Sequence, residues 1–208
     1  LNPSGAPMLL DSEDSQLVLV DYQARLMPAI HESAVAIANA VRLGKVARML
    51  DVPVWGTEQN PAGLGENVVE VRTLCQRTLS KMHFSAAADG LVPWLRPAPK
   101  PQGGNARSLP RHLQKPVAPA GEPRNTVVIA GCEAHVCLLQ TALELMGEEF
   151  DVWVVTDACS SRTERNRDAA FDRLAGAGAE LVTTEMVVFE WLRSAEHPAF
   201  REVLPLIK

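Results

Sequence analysis

Thr126-Val127-Val128-Ile129-Ala130-Gly131-Cys132-Glu133-Ala134-His135-Val136-Cys137 changes character halfway along its length. From Thr126 to Ala130 it is β-branched and apolar without a polar break, the profile of a strand buried on both faces. From Ala134 to Met146 apolar residues recur at helical spacing, and Gly147 follows as a stop. A buried strand that feeds directly into an amphipathic helix is the first half of a βαβ unit.

The same alternation extends in both directions. Downstream, Val152-Trp153-Val154-Val155-Thr156-Asp157 is a second buried strand ending in a carboxylate. Thr163 to Ala177 reads as a helix closed by Gly178, and Glu180 to Thr183 as a short strand. Thr184 to Arg193 and Pro198 to Leu206 are helical in pattern. Upstream, Gln16-Leu17-Val18-Leu19-Val20-Asp21 is a strand and His31 to Leu50 a helix. Val52-Pro53-Val54-Trp55-Gly56-Thr57 is a strand with proline near its start, where no ladder donor is lost. Gln59 to Glu66 is a loop by its Gly and Pro content, and Ser85 caps an expected helix through Trp94 that Pro97 closes. Together these elements predict an α/β fold, a three-layer α/β/α sandwich around a mostly parallel sheet. One domain is expected over residues 16–208.

Two stretches stand apart. Residues 1–15 begin Leu1-Asn2-Pro3-Ser4-Gly5-Ala6-Pro7, without the basic and apolar regions of a signal peptide, and read as a disordered leader or a cloning remnant. Arg96 to Arg124 is rich in Pro and Gly and has almost no periodicity. An insertion of that length is a lid, a subunit contact or disordered.

Composition excludes several function classes. The net charge of −5, with Lys and Arg scattered, lacks the basic stripe that a nucleic-acid partner requires. No apolar run approaches the roughly 20 residues needed to cross a bilayer. Cys75, Cys132, Cys137 and Cys159 show no C-x-x-C spacing and do not make a disulfide framework in a chain of 208 residues. Reduced thiols and a cytoplasmic location are the expectation.

Chemistry in a parallel sheet gathers outside the carboxyl ends of its strands. Asp21 ends the first strand, Lys81 stands just ahead of the expected Ser85 helix, and Cys137 sits in the first turn of the helix after Thr126 to Ala130. A helix N-terminus and a nearby Lys both favour a thiolate. An adjacent Asp21 can take the thiol proton and return it to a leaving group. Backbone N–H groups around Glu133 to Cys137 can hold an oxyanion. Each element alone is weak, since a lone Cys in an apolar helix is far more often structural, a strand-end Asp a cap and a single Lys solvated. His135-x-Cys137 lacks further zinc ligands. G-x-S-x-G, Walker A and G-x-G-x-x-G patterns are absent. Asp157 and Arg162 are near the site or simply structural, with structural the favoured reading, and the scattered Trp55, Trp94, Trp153 and Trp191 read as core or interface residues.

As a set, Leu19-Val20-Asp21-Tyr22-Gln23, Lys81-Met82-His83-Phe84-Ser85 and Gly131-Cys132-Glu133-Ala134-His135-Val136-Cys137 resemble the isochorismatase-like cysteine hydrolases. Val155-Thr156-Asp157-Ala158-Cys159-Ser160-Ser161-Arg162-Thr163 and Thr184-Glu185-Met186-Val187-Val188-Phe189-Glu190 extend the likeness over nearly the whole chain outside the leader and the insertion. The resemblance implies a six-stranded parallel sheet and an Asp21-Lys81-Cys137 triad. In it Asp21 is base and acid, Lys81 favours the thiolate and a bound anion, and Cys137 attacks. It further implies a cis peptide between Cys132 and Glu133, with the Glu133 and Cys137 N–H groups as oxyanion hole. Gln23, Phe84 and His135 become candidate pocket residues, and a dimer or larger homo-oligomer is expected.

Departures within the family narrow the expectation. True isochorismatases lack the cysteine and act on a vinyl ether, so Cys137 points to the amidase-like branch that cleaves C–N bonds. Nicotinamidases of that branch carry an Asp-x-His metal motif where this chain has Trp55-Gly56-Thr57-Glu58-Gln59-Asn60-Pro61, so neither metal nor cofactor is expected. Glu58-Gln59-Asn60-Pro61 is closer to YcaC-like and isochorismatase-domain-containing proteins. The leading expectation is a metal-independent hydrolase of a small amide or related C–N bond through a thioester. An esterase using the same triad and a catalytically idle homo-oligomeric domain are the alternatives.

Overall fold

The computed structural model describes residues 8–98 and 123–207. A six-stranded sheet runs through its centre in the order β3-β2-β1-β4-β5-β6. The strands are β1 (Ser15–Val20), β2 (Val54–Gln59), β3 (Arg77–Lys81), β4 (Thr126–Gly131), β5 (Asp151–Val155) and β6 (Glu180–Val182), each parallel to its neighbours. The chain builds outward from β1 to β3 on one side, then returns to pair β4 against β1 and builds outward again. Strand order therefore reverses between β1 and β4, and the crevice at their carboxyl ends is the ligand-binding position of such a sheet.

Burial explains the central strands. Every residue of β1 and β4 is buried, which their unbroken apolar runs require. Each fully buried aliphatic side chain there contributes about 1.5–3 kcal/mol relative to exposure. Helix α1 (Ser33–Met49) lies on the sheet through Ala36, Ala40, Leu43 and Ala47, small residues among them allowing close approach. It also packs against α7 (Thr184–Leu192) and α8 (Phe200–Ile207), while α5 (Leu139–Gly147) pairs with α6 (Glu164–Ala177). Helix α6 starts under a Thr163 side-chain cap and stops at Gly178, which takes φ 101° as a left-handed terminator. No described helix is long and apolar enough to cross a membrane.

The structure corrects several expectations. Residues 77–81 form β3, which has no counterpart among the strands read from periodicity. Among the described residues it pairs only with β2, and apart from the buried Lys81 its side chains are exposed or half-buried and carry no apolar face. Lys81 is accordingly the last residue of a strand. The helix expected from Ser85 to Trp94 is a series of turns ending in one helical turn, α4 (Val92–Leu95). Ser85 directs its hydroxyl to the Glu144 carboxylate at 2.5 Å, and Thr141 Oγ1 accepts from Ala86 N, so this segment is tied to α5 instead of coiling. Strand β2 starts two residues later than expected and takes Gln59 out of the loop. Two short helices, α2 (Pro61–Leu64) and α3 (Val69–Arg72), follow it. The leader does not extend to residue 15: Leu10 is buried, donates its N–H to Glu190 at 2.7 Å and accepts from Arg193 at 2.9 Å. Residues 1–7 and the 99–122 portion of the insertion lie outside the described residues.

Candidate active site

Asp21 leaves β1 with φ 53°, in the left-handed region that Asp tolerates better than most side chains. Its N–H still donates to Thr57 O at 3.2 Å, so the kink occurs while the backbone remains tied to β2. The carboxylate is fully buried and doubly engaged. Thr57 Oγ1 donates to Oδ1 at 2.7 Å, and Lys81 Nζ donates to Oδ2 at 2.8 Å. Sheet register makes this meeting possible, because Val20 pairs with Thr57 and Gln59 with Lys81.

The Lys81 ammonium is equally well occupied. It donates to Gln59 Oε1 at 2.8 Å and Phe84 O at 2.9 Å, with His83 O further away at 3.4 Å. Burial of a charge pair is tolerated only with this degree of satisfaction.

Cys137 arrives from β4 on the other side of the strand reversal. Gly131 takes φ 149°, and a Cβ on it would lie 2.2 Å from Val20 O, so only glycine fits where β4 meets the end of β1. The next peptide, Cys132–Glu133, is cis. Ala134 N then donates to Ser160 O at 2.8 Å, and the Glu133 carboxylate accepts from Arg162 N and Nε at 3.0 Å each. Glu133 O accepts from Val136 N and, five residues on, from Leu138 N. That wider spacing makes a π-helical turn, Ala134–Leu138, ahead of α5. Such turns are common at functional sites because they re-aim one side chain. Here it carries Cys137, 6% exposed, with its Sγ 4.0 Å from Gln59 Oε1.

Electrostatics overturn one expectation. The Cys137 thiol is pushed up to about 12, not down, first by burial and then by the Asp21 charge. Lys81 acts in the opposite direction and does not prevail. The resting group is a protonated thiol beside a carboxylate that can accept its proton.

Asp21, Lys81 and Cys137 thus converge at the strand reversal. The candidate pocket residues divide. Gln23 is fully buried, donating to Gln59 O and Gly65 O and accepting from Gln59 N at 2.9, 2.6 and 2.8 Å. Its amide is spent on backbone, so it braces Gln59 and does not line a pocket. The Phe84 ring is exposed while its carbonyl serves Lys81, and His135 lies with Nδ1 2.9 Å from Ser161 Oγ. Asp157 is structural as expected, accepting from Thr184 N and Oγ1 at 2.8 Å each at the start of α7. Arg162, read as structural, holds the Glu133 carboxylate next to the cis peptide.

The sequence does not single out Thr57 or Gln59. Gln59 was hidden by the misplaced end of β2, since a polar residue at a strand's carboxyl end is a candidate while one in a loop is not. Glu58, on the segment that replaces the metal motif, accepts from Asn67 N at 2.8 Å. Among the described residues no group of three His, Cys, Asp or Glu side chains could hold a metal ion.

Known proteins share this arrangement of sequence and fold. The family model for the isochorismatase domain matches residues 118–186. Isochorismatase domain-containing protein 2A of Mus musculus is 37% identical over 94% of this chain and 84% of its own length. The structure of the MAR1 ribonuclease from Caenorhabditis elegans superposes with a TM-score of 0.80 at 29% identity, covering 96% of this chain and 92% of that one. The YcaC gene product of Escherichia coli, described as an octameric hydrolase of unknown specificity, superposes with a TM-score of 0.75 at 24% identity over 96% of each chain.

Proposed function

Because the chain belongs to the isochorismatase domain family, we propose that it is a metal-independent cysteine hydrolase of a small amide or related C–N bond. The observation that carries this reading is the buried Asp21–Lys81 pair meeting Cys137 where the strand order reverses. In the proposed reaction the Cys137 sulfur bonds to the substrate carbonyl carbon while its proton passes to Asp21. The carbonyl π electrons move to oxygen, and the Glu133 and Cys137 N–H groups hold that oxyanion. Its collapse breaks the C–N bond as Asp21 returns the proton to nitrogen. Water then adds to the thioester, giving its proton to Asp21, and the departing sulfur recovers that proton as the acid is released. Lys81 keeps the Asp21 carboxylate oriented between these transfers through its bond to Oδ2.

The raised thiol pKa shapes the first step, because the proton leaves during attack and not beforehand. Glu58 engaged with Asn67, and the absence of a three-ligand cluster among the described residues, favour chemistry without a metal. All four cysteines are free thiols, which fits a reducing, cytoplasmic setting. The octameric description of YcaC supports self-association into a homo-oligomer here as well.

Mass-spectrometric screening of small amides, small esters and an RNA oligonucleotide tests the reading. Amide turnover should be measurable in the wild type and abolished in Cys137→Ala. Turnover that survives the substitution would exclude the thioester, and preference for esters would select the esterase alternative. The RNA arm addresses the ribonuclease name of the C. elegans neighbour. A net charge of −5 and a nucleophile only 6% exposed predict no cleavage.

A further inference from the structure

The segment that follows β3 is held by a residue outside the Asp21, Lys81 and Cys137 cluster. Asp89 Oδ2 accepts from Met82 N at 2.7 Å and from His83 N at 2.9 Å. Its Oδ1 lies 2.6 Å from His83 Nδ1. These contacts fasten both ends of one carboxylate to consecutive residues directly after Lys81. The same short segment turns its carbonyls inward, where His83 O and Phe84 O accept from the Lys81 ammonium. The two peptide units held by Asp89 through their amides give their carbonyls to the end of β2, Lys81 O accepting from Asn60 N and Met82 O from Gln59 Nε2 at 2.8 Å each. The next two carbonyls along the chain, His83 O and Phe84 O, form the oxygen cradle for Nζ. The His83 ring and the two amides also hold the Asp89 carboxyl below the usual carboxylate range, so it stays charged at neutral pH.

We propose that Asp89 is a positioning residue for Lys81, clamping Met82 and His83 so that the His83 and Phe84 carbonyls hold the ammonium against Asp21 and beside Cys137. The inference rests on the cysteine-hydrolase reading of the cluster. Without the clamp, the Met82 and His83 amides lose their acceptor, the Gln59 Nε2 bond to Met82 O holds only the start of the segment, and the peptides that carry His83 O and Phe84 O turn away from the ammonium. Its hold on Asp21 Oδ2 then relaxes, and its favourable influence on the Cys137 thiol weakens. Met82 and Phe84, 69% and 52% exposed, are not buried anchors that would resist that rotation.

The test is the rate of Cys137 alkylation by iodoacetamide across pH, read peptide by peptide with Cys75 as internal reference. Lys81→Ala should slow Cys137 alkylation, since Lys81 lowers the thiol's pKa. Asp89→Ala should slow it by about three- to tenfold at a given pH, displacing the profile to higher pH by roughly half a unit to one unit. Asp89→Asn, which retains an oxygen acceptor for the two amides, should recover most of the rate. In the Lys81→Ala background Asp89→Ala should add less than about twofold. An equal loss in both backgrounds, a Cys75 rate that changes in step, or no effect of Asp89→Ala would overturn the clamp. An unchanged Cys137 rate in Lys81→Ala would instead remove the role of Lys81, and with it the catalytic reading.

Discussion

Lys81 Nζ lies 2.8 Å from Asp21 Oδ2, and neither side chain is exposed to solvent. The two come from the ends of β3 and β1, which do not touch each other in the sheet, and bridge across the end of β2 between them. Removing one partner strands the other charge in the interior. Lys81→Met and Asp21→Asn should each cost about 3–5 kcal/mol in urea denaturation, with the double variant less destabilised than the sum. Strict additivity would show that the pair is not coupled.

Gly131 should tolerate no other residue. At φ 149°, with Val20 O 2.2 Å from a built Cβ, Gly131→Ala has to move β4 or the turn beyond it. A loss of about 3 kcal/mol or more is expected, together with loss of turnover, because Cys137 is aimed by the same turn. A variant with wild-type thermal stability would contradict this account.

Thr57→Val keeps the shape of the residue while deleting the donor to Asp21 Oδ1. A hydrogen bond to a charged group is worth about 1.5–3 kcal/mol, and that is the expected stability loss. Amide turnover should fall about tenfold with KM little changed, since Thr57 orients the base without reaching the substrate. Kinetic parameters measured against the wild type decide it.

The protonated resting thiol has its own signature. Alkylation of wild-type Cys137 should climb continuously with pH through the neutral and mildly alkaline range, whereas a plateau near neutrality would reveal a preformed thiolate. The linkage has a definite sign. A folded-state value of about 12 against 9.0 in the unfolded chain gives stability that is complete below about pH 9 and declines as the pH rises towards 12. Cys132 and Cys75, also pushed up to about 12 by burial, act in the same direction. Urea midpoints should fall with increasing steepness above pH 9, and Cys137→Ala should lessen the slope.

Self-association is expected in solution. Size-exclusion chromatography with light scattering should give a mass that is a multiple of 22.6 kDa; a monomer at all accessible concentrations would refute it.

Much of this protein is legible in its sequence because the relevant physics is local. The runs Leu17 to Val20 and Val127 to Ala130 announce strands covered on both faces, and Gly178 announces the end of α6, since each pattern depends on near neighbours along the chain. The carboxyl-end rule then places Asp21 and Cys137 at one edge of the sheet. Strand β3 escaped because Arg77-Thr78-Leu79-Ser80-Lys81 pairs on one side only and buries no continuous face. Only the tertiary structure decides that Gln59 and Thr57 join the cluster, that Gln23 is a brace, and that Asp89 holds the segment after Lys81. It also decides the state of the thiol. A helix start and a nearby Lys argue for a thiolate, but burial and the Asp21 carboxylate outweigh them. Desolvation and charge act through space, over distances that the order of residues does not contain.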